Sequence, residues 1–171
     1  AQIPGSVCSS CYANKGFYAM YNATIEPAQH ARLESINDPL WIDSVVNLIG
    51  NDPYFRWHDS GDLQSVEHFA KICQVCERLP GIRFWLPTRE AAFIREHLEN
   101  GGKIPDNLTV RLSAFMVGEK AQESVARRLG ITVSEVATAA ASCPSSKQGG
   151  KCLSCRECWD RSRFVVSYLK H

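Results

Sequence analysis

Ile82-Arg-Phe-Trp-Leu86, followed by Pro87-Thr88-Arg89 and an apolar-periodic stretch from Glu90 to Glu99, decides the fold. Its first five residues are rich in branched and aromatic side chains and read as a strand. The stretch from Glu90 carries helical periodicity and stops at Gly101-Gly102. The same strand-then-helix unit recurs on both sides. Upstream, Tyr54-Phe-Arg-Trp57 reads as a short strand. Ser65 to Leu79 reads as a helix with Phe69, Ile72, Cys73, Cys76 and Leu79 on its apolar stripe, broken at Pro80-Gly81. Downstream, Leu108-Thr-Val-Arg-Leu112 is a third strand and Glu119 to Leu129 a helix stopped by Gly130. Ile131-Thr-Val-Ser-Glu-Val136 reads as a fourth strand and Phe164-Val-Val-Ser-Tyr168 as a last one. Strand starts near 54, 82, 108 and 131 are spaced by about one βα unit, which favours a parallel sheet with right-handed crossovers. The count is too small for a closed eight-stranded barrel. The expected fold is therefore α/β, an open or partial parallel (β/α) barrel.

At 171 residues the chain reads as one domain, large enough to bury its own core. Residues 1–50 hold a CxxC loop and helical stretches over 12–21 and 39–49. Residues 51–141 carry the βα repeats. Residues 142–171 form a cysteine-rich segment and the last strand. Nineteen basic against 18 acidic residues give a net charge of +1, so there is no bulk attraction to DNA or to an anionic membrane. A local basic patch remains in Arg156, Arg161, Arg163 and Lys170. No run of 18 apolar residues marks a membrane span, and the start lacks the basic-then-apolar pattern of a signal peptide. The expected location is cytoplasmic, where paired cysteines read as metal-binding or redox-active rather than disulfide-bonded.

Six of the eight cysteines bracket the chain as Cys8-Ser-Ser-Cys11 and Cys143-Pro144…Cys152-Leu-Ser-Cys155-Arg-Glu-Cys158. The CxxCxxC run lets three thiolates converge from one tight loop, and Cys143 completes a four-thiolate set. That overlapping triple favours an iron–sulfur cluster. Zinc is the alternative metal, although zinc sites more often use two separated CxxC pairs. Cys8 and Cys11 are expected to join the tail cysteines as metal ligands in a shared site. Cys73 and Cys76 lie on an apolar helical stripe and read as core. Trp57, Phe84 and Trp85 also read as core, and Trp159 as a shield beside Cys158. His171 is the last residue and is most simply exposed.

Polar residues follow three strands in turn: His58-Asp59-Ser60-Gly61-Asp62, then Thr88-Arg89-Glu90, then Ser113 and Phe115. Parallel α/β folds bind ligands beyond the carboxyl ends of their strands. His58, Asp59, Ser60, Asp62 and Arg89 are therefore the candidate cofactor-binding residues, with Arg89 suited to a carboxylate or phosphate. Helix capping by Asp62, Ser65 or Thr88 is the structural alternative.

Cys8-x-x-Cys11-Tyr12-Ala13, Arg56-x-His58-x-Ser60-Gly61-Asp62, Thr88-Arg89 and the closing Cys143-Pro…Cys158-Trp159…Tyr168-x-x-His171 together resemble small phage-encoded proteins of the gene-eighty-eight type. The resemblance covers nearly the whole chain. It implies a shortened radical-SAM-like iron–sulfur protein with a [4Fe–4S] cluster, in which the His58 to Asp62 segment corresponds to residues that hold S-adenosylmethionine. The chain lacks a CxxxCxxC loop and a Gly-Gly-Glu stretch. Three readings of function are open. One is a radical-SAM-like enzyme acting on a small-molecule or macromolecular partner. Another is a non-enzymatic [4Fe–4S] redox or interaction protein. The third is a zinc-stabilised nucleic-acid-binding module.

Overall fold

The computed structural model describes residues 3–11 and 16–170. One all-parallel sheet runs in the order β1 (Tyr54–Arg56), β2 (Arg83–Thr88), β3 (Leu108–Ser113), β4 (Thr132–Ala137) and β5 (Val165–Leu169). The sheet curls into a half-barrel, so the α/β partial-barrel architecture expected from the strand rhythm is present. Each strand lies within two residues of its expected place.

Helices α4 (Val66–Arg78), α5 (Ala91–Glu99) and α6 (Glu123–Leu129) join the first four strands. Ser65 caps α4, its Oγ accepting from the His68 amide at 3.1 Å. The α6 helix starts later than its sequence pattern suggests. The stretch before it is held elsewhere, with the Ala121 amide donating to Glu135 Oε1 of β4 at 2.9 Å. Gly130 ends α6 in the left-handed conformation at φ +66°, a position suited to glycine.

Strand side chains alternate between two faces. Phe84, Leu86, Leu108, Val110, Leu112 and Val133 point to the helices and pack with Phe69, Ile72, Val75, Ile94 and Ala126. Burying such a side chain stabilises the fold by ~1.5–3 kcal/mol. Cys73 and Cys76 belong to this core, as their helical stripe implies, and so does Trp57. Trp85 is buried too, but on the opposite, inner face, in a separate cluster with Cys158 and Val166.

The β4–β5 connection differs from the others. Residues 138–164 contain no α-helix, only short 3-10 turns at Pro144–Lys147 and Glu157–Trp159. The second turn lies across the inner face. Thr109 Oγ1 of β3 donates to the Trp159 carbonyl at 2.9 Å, and Trp159 Nε1 donates to the Phe55 carbonyl of β1 at 2.9 Å. The cysteine-rich tail thus lines the half-barrel on the side the helices leave open.

The first third is helical: α1 (Gly16–Met20), α2 (Asn22–Ser35) and α3 (Trp41–Ile49). Tyr12 to Lys15, at the start of the helix expected over 12–21, lie outside the described residues, as does His171. The α3 helix packs Trp41, Ile42, Val45, Val46 and Ile49 against the core, and Trp41 stacks on Trp57 at 6.4 Å. No residue of α2 is buried. No helix among the described residues is long and apolar enough to cross a membrane.

Candidate metal centre and strand-end site

Parallel strands deliver the segments after them to one edge of the sheet. At that edge Asp62 joins the loop after β1 to the end of β2. Its Oδ1 accepts from the Leu63 amide at 2.7 Å and from the Thr88 hydroxyl, and its Oδ2 accepts from the Arg89 amide at 2.8 Å. Thr88 Oγ1 in turn accepts from the Glu90 amide at 3.0 Å. Asp62 and Thr88 therefore spend their polar atoms on each other and on nearby amides. The Arg89 side chain reaches outward, where Nη1 donates to Cys8 Sγ and the guanidinium lies 5.9 Å from the Phe115 ring centroid.

The head cysteines are carried to this edge by backbone pairing. The Val7 amide donates to the Phe115 carbonyl at 2.9 Å, the Val117 amide donates to the Gly5 carbonyl at 3.1 Å, and Ser6 bridges Met116. Ser6 caps the next turn, its Oγ accepting from the Ser9 amide, and Cys11 closes it by donating to the Cys8 carbonyl at 3.1 Å. Asp59 accepts from the Tyr18 hydroxyl, and Ser60 is half-buried in the same loop.

His58 leaves β1 with φ +60°, a left-handed conformation costing roughly 1–2 kcal/mol for a residue with a side chain. Its Nδ1 is buried with no hydrogen-bond partner among the described residues. Its ring lies 5.6 Å from that of His68. Burial holds the His58 pKa below its ordinary value, against the pull of the Asp62 charge and with a smaller push from Arg56. Burial, with His58 and Lys71 nearby, lowers His68 to about 4. Both imidazoles are thus neutral when folded at pH 7. The unfolded chain takes up these protons near 6.5, so it binds more protons than the folded chain below that pH. The stability is complete above 6.5 and is lost as pH falls toward about 4. His68→Phe should flatten this acid slope in urea titrations at about pH 7 and 5. An unchanged slope would place the acid sensitivity elsewhere.

The tail cysteines occupy the inner face. Cys158 is 6 % exposed and packs with Trp85 and Val166, while Cys143, Trp159 and Tyr168 lie against the same cluster. Cys158 Sγ is 3.1 Å from Tyr168 Oη. Burial pushes the Cys158 thiol up to about 11; the Tyr168 hydrogen bond and the Arg111 charge oppose the rise, and nearby Cys143 and Cys152 add to it. Burial, and then Cys158, push the Tyr168 phenol well above its ordinary value. Cys143 is held beside β5, its amide donating to the Ser167 carbonyl at 2.9 Å. Cys152 and Cys155 form one turn, the Cys155 amide donating to the Cys152 carbonyl at 2.9 Å, with Leu153 between them at φ +46°.

Arg111 holds this tail in place, and the sequence pattern did not single it out. It is 0 % exposed in mid-β3. Nε donates to the Cys158 carbonyl at 3.0 Å. Nη1 donates to the carbonyls of Val133 and Arg163, and Nη2 to those of Glu157 and Asp160. The available signal was a lone charge inside the otherwise strand-like Leu-Thr-Val-Arg-Leu.

Head and tail occupy different neighbourhoods. Cys8 meets Arg89, just past the end of β2, whereas Cys158 packs against Trp85 within that strand. No three His, Cys, Asp or Glu side chains among the described residues converge as a metal-binding group. Neither the shared six-cysteine arrangement nor the four-thiolate tail set forms such a group in this conformation. Cys73 and Cys76 stay in the helix-side core, where burial raises Cys73 to about 12 and Cys76 higher still. The C-terminal arginines are largely engaged locally. Arg156 donates to the Leu153 and Cys155 carbonyls, Arg161 pairs with Asp106 at 3.5 Å, and Arg163 pairs with Glu157 at 3.6 Å.

The tail cysteines are thiols, the donor type that soft metals take, and the buried Trp85 indole N–H, in the same cluster as Cys158, has no partner among the described residues. A family model described as Gene product 88 matches residues 4–161, a span that includes all six candidate cysteines. No curated protein and no solved structure matches the chain.

Proposed function

We propose that this chain, which belongs to the gene product 88 family, holds an iron–sulfur cluster on the thiolates of Cys143, Cys152, Cys155 and Cys158. One observation carries the reading. The cysteine-rich crossover is folded onto the inner face of the half-barrel, with Cys158 buried between Tyr168 and a turn fixed by Arg111. When bound, such a cluster supplies one-electron transfer. The chain's own part is to exclude water with Trp85, Trp159 and Tyr168 and to keep the turn closed before the metal arrives. A reducing host-cell cytoplasm suits these thiols.

The test is iron, sulfide and zinc analysis of anaerobically purified protein, with its visible spectrum. We expect several irons per chain and a visible absorption that bleaches on reduction. Cys152→Ser, at an exposed position, should lose most of the iron, while Cys73→Ser in the core should keep it. Stoichiometric zinc without iron would replace this reading with the zinc-stabilised module. Wild-type iron in the Cys152 variant would remove the tail from the site altogether.

A second reading, a radical-SAM-like enzyme, is favoured by the strand-end group. Cys8, His58, Asp59 and Arg89 all lie at the carboxyl edge of the first three strands. Their roles there would be to hold S-adenosylmethionine, with Cys8 and Cys11 as additional metal ligands. Reductive release of 5′-deoxyadenosine by the iron-loaded protein is the expected signature. Its absence from fully loaded protein leaves the redox or interaction role.

A further inference from the structure

We propose that Cys8 and Cys11 form a redox-active dithiol that exchanges with low-molecular-weight disulfides, with Cys8 as the attacking sulfur, Cys11 as the resolving one and Arg89 as a positioning residue. This inference stands apart from the tail cysteines and gives the head pair a chemistry other than metal ligation.

Cys8–Cys11 and Cys73–Cys76 share the CxxC spacing and have opposite surroundings. Cys73 and Cys76 are buried in the helix-side core, where burial raises Cys73 to about 12 and Cys76 higher still. Thiols in such a setting are inert, whereas reactive ones occupy partly exposed, electropositive surroundings. Cys8 is exposed and Cys11 half-buried, and neither is in a disulfide. The positive charge beside Cys8 is Arg89, whose Nη1 donates to its Sγ. That guanidinium is held in place from two directions. Asp62 Oδ2 fixes the Arg89 amide at 2.8 Å, and the Phe115 ring centroid lies 5.9 Å from the guanidinium.

The local backbone suits a bond between the two sulfurs. Val7–Ser10 form a 3-10 turn, in which side chains three positions apart eclipse. Cys11 closes the turn, its amide donating to the Cys8 carbonyl at 3.1 Å. Its φ of −62° keeps the helical value, so its Cβ leaves the backbone as the next helical residue's would. Three residues of 3-10 rise carry the chain about 6 Å, within the Cα separation that a disulfide spans. Backbone bonds from Val7 to Phe115 and from Val117 to Gly5 anchor this turn to the sheet edge where Arg89 emerges.

The exchange balances within these groups and the external disulfide. Cys8, as its thiolate, attacks one sulfur of that disulfide; a mixed disulfide forms on Cys8 and one thiolate leaves. Cys11 then attacks the Cys8 sulfur, the mixed bond breaks and the second thiolate leaves. The protons of Cys8 and Cys11 end on the two released thiols. The pair is oxidised by two electrons, and the external disulfide is reduced by the same two. Arg89 orients the Cys8 sulfur and sets a positive charge opposite it.

Peptide mapping of the purified full chain after exposure to excess oxidised glutathione provides the test. We expect a Cys8–Cys11 disulfide that dithiothreitol reverses, formed faster than any modification of Cys152, which is exposed as well. Cys11→Ser should stop instead at a glutathione adduct on Cys8, and Cys73 and Cys76 should stay unmodified in the folded chain. Arg89→Gln should slow the exchange at Cys8 by roughly fivefold, and Arg89→Lys should recover part of that rate. Cys8 and Cys11 that remain thiols in the wild type, or react no faster than Cys152, overturn the dithiol. Iron lost from anaerobically purified Cys8→Ser would make the head pair a metal ligand and overturn it equally. The tail-cluster reading is decided separately, by the iron content of Cys152→Ser.

Discussion

Arg111→Met should lower the unfolding free energy by about 3–5 kcal/mol. The reason lies in what surrounds the guanidinium. Its five acceptors are backbone carbonyls, of Val133, Glu157, Cys158, Asp160 and Arg163, and the side chain is wholly buried. A buried ion pair can often be exchanged for apolar residues at little cost because both partners leave together. Here the carbonyls remain when the cation goes. Each carbonyl left without a partner costs about 1–3 kcal/mol, reduced where a carbonyl has another donor or where the loop relaxes to water. Relaxation is possible because three of the five carbonyls lie in the 157–160 stretch, which has no α-helix of its own. Urea titration should show a lower midpoint with an unchanged slope. Arg111→Lys should recover only part of the loss, since one ammonium cannot span acceptors that a planar fork reaches together. A loss below about 1 kcal/mol for the Met variant would show that the carbonyls are satisfied without Arg111.

The same residue marks the limit of what the sequence discloses. The strands from β1 to β4 were legible because branched and aromatic residues recur between helical stretches at one βα spacing, and β5 from its own branched and aromatic run. The core assignment of Cys73 and Cys76 was legible from a 3.6-residue stripe. Those are local signals. Which face the β4–β5 connection covers is not local, and a glycine-rich stretch around Gly149-Gly150 carries no periodicity to decide it. The burial of Trp85 was legible, but its separation from the helix-side core follows only from that long-range placement. The buried histidine pair was hidden for a similar reason. His58 and His68 are ten positions apart, and their approach depends on the left-handed exit from β1 and on the Ser65 cap. Strand-end chemistry was legible as a set of residues. How Asp62 divides its oxygens was not.

Asp62→Asn should destabilise the fold by about 2–4 kcal/mol, although it changes the shape of the side chain very little. Both carboxylate oxygens face donors: the Leu63 amide and the Thr88 hydroxyl on Oδ1, and the Arg89 amide on Oδ2. Either orientation of an asparagine amide turns an NH2 group toward one of them. Turned toward Oδ2's partner, it meets the Arg89 N–H, and turned the other way it meets the Leu63 N–H. The Thr88 hydroxyl cannot absorb the mismatch freely, because it already accepts from the Glu90 amide. Thr88→Val should cost less, since it removes one donor and leaves the two amides on Asp62. The double variant should fall short of the sum, because both residues belong to one network. This cycle separates the two readings of Asp62. A residue held in reserve for a ligand would tolerate Asn with little change in stability and would lose only ligand binding. A residue that ties the β1 exit to the end of β2 loses stability first, and loosens Arg89 and its contact with Cys8 as a consequence. A stability loss under about 1 kcal/mol for Asp62→Asn, with additive behaviour in the double variant, would return Asp62 to the ligand-binding set.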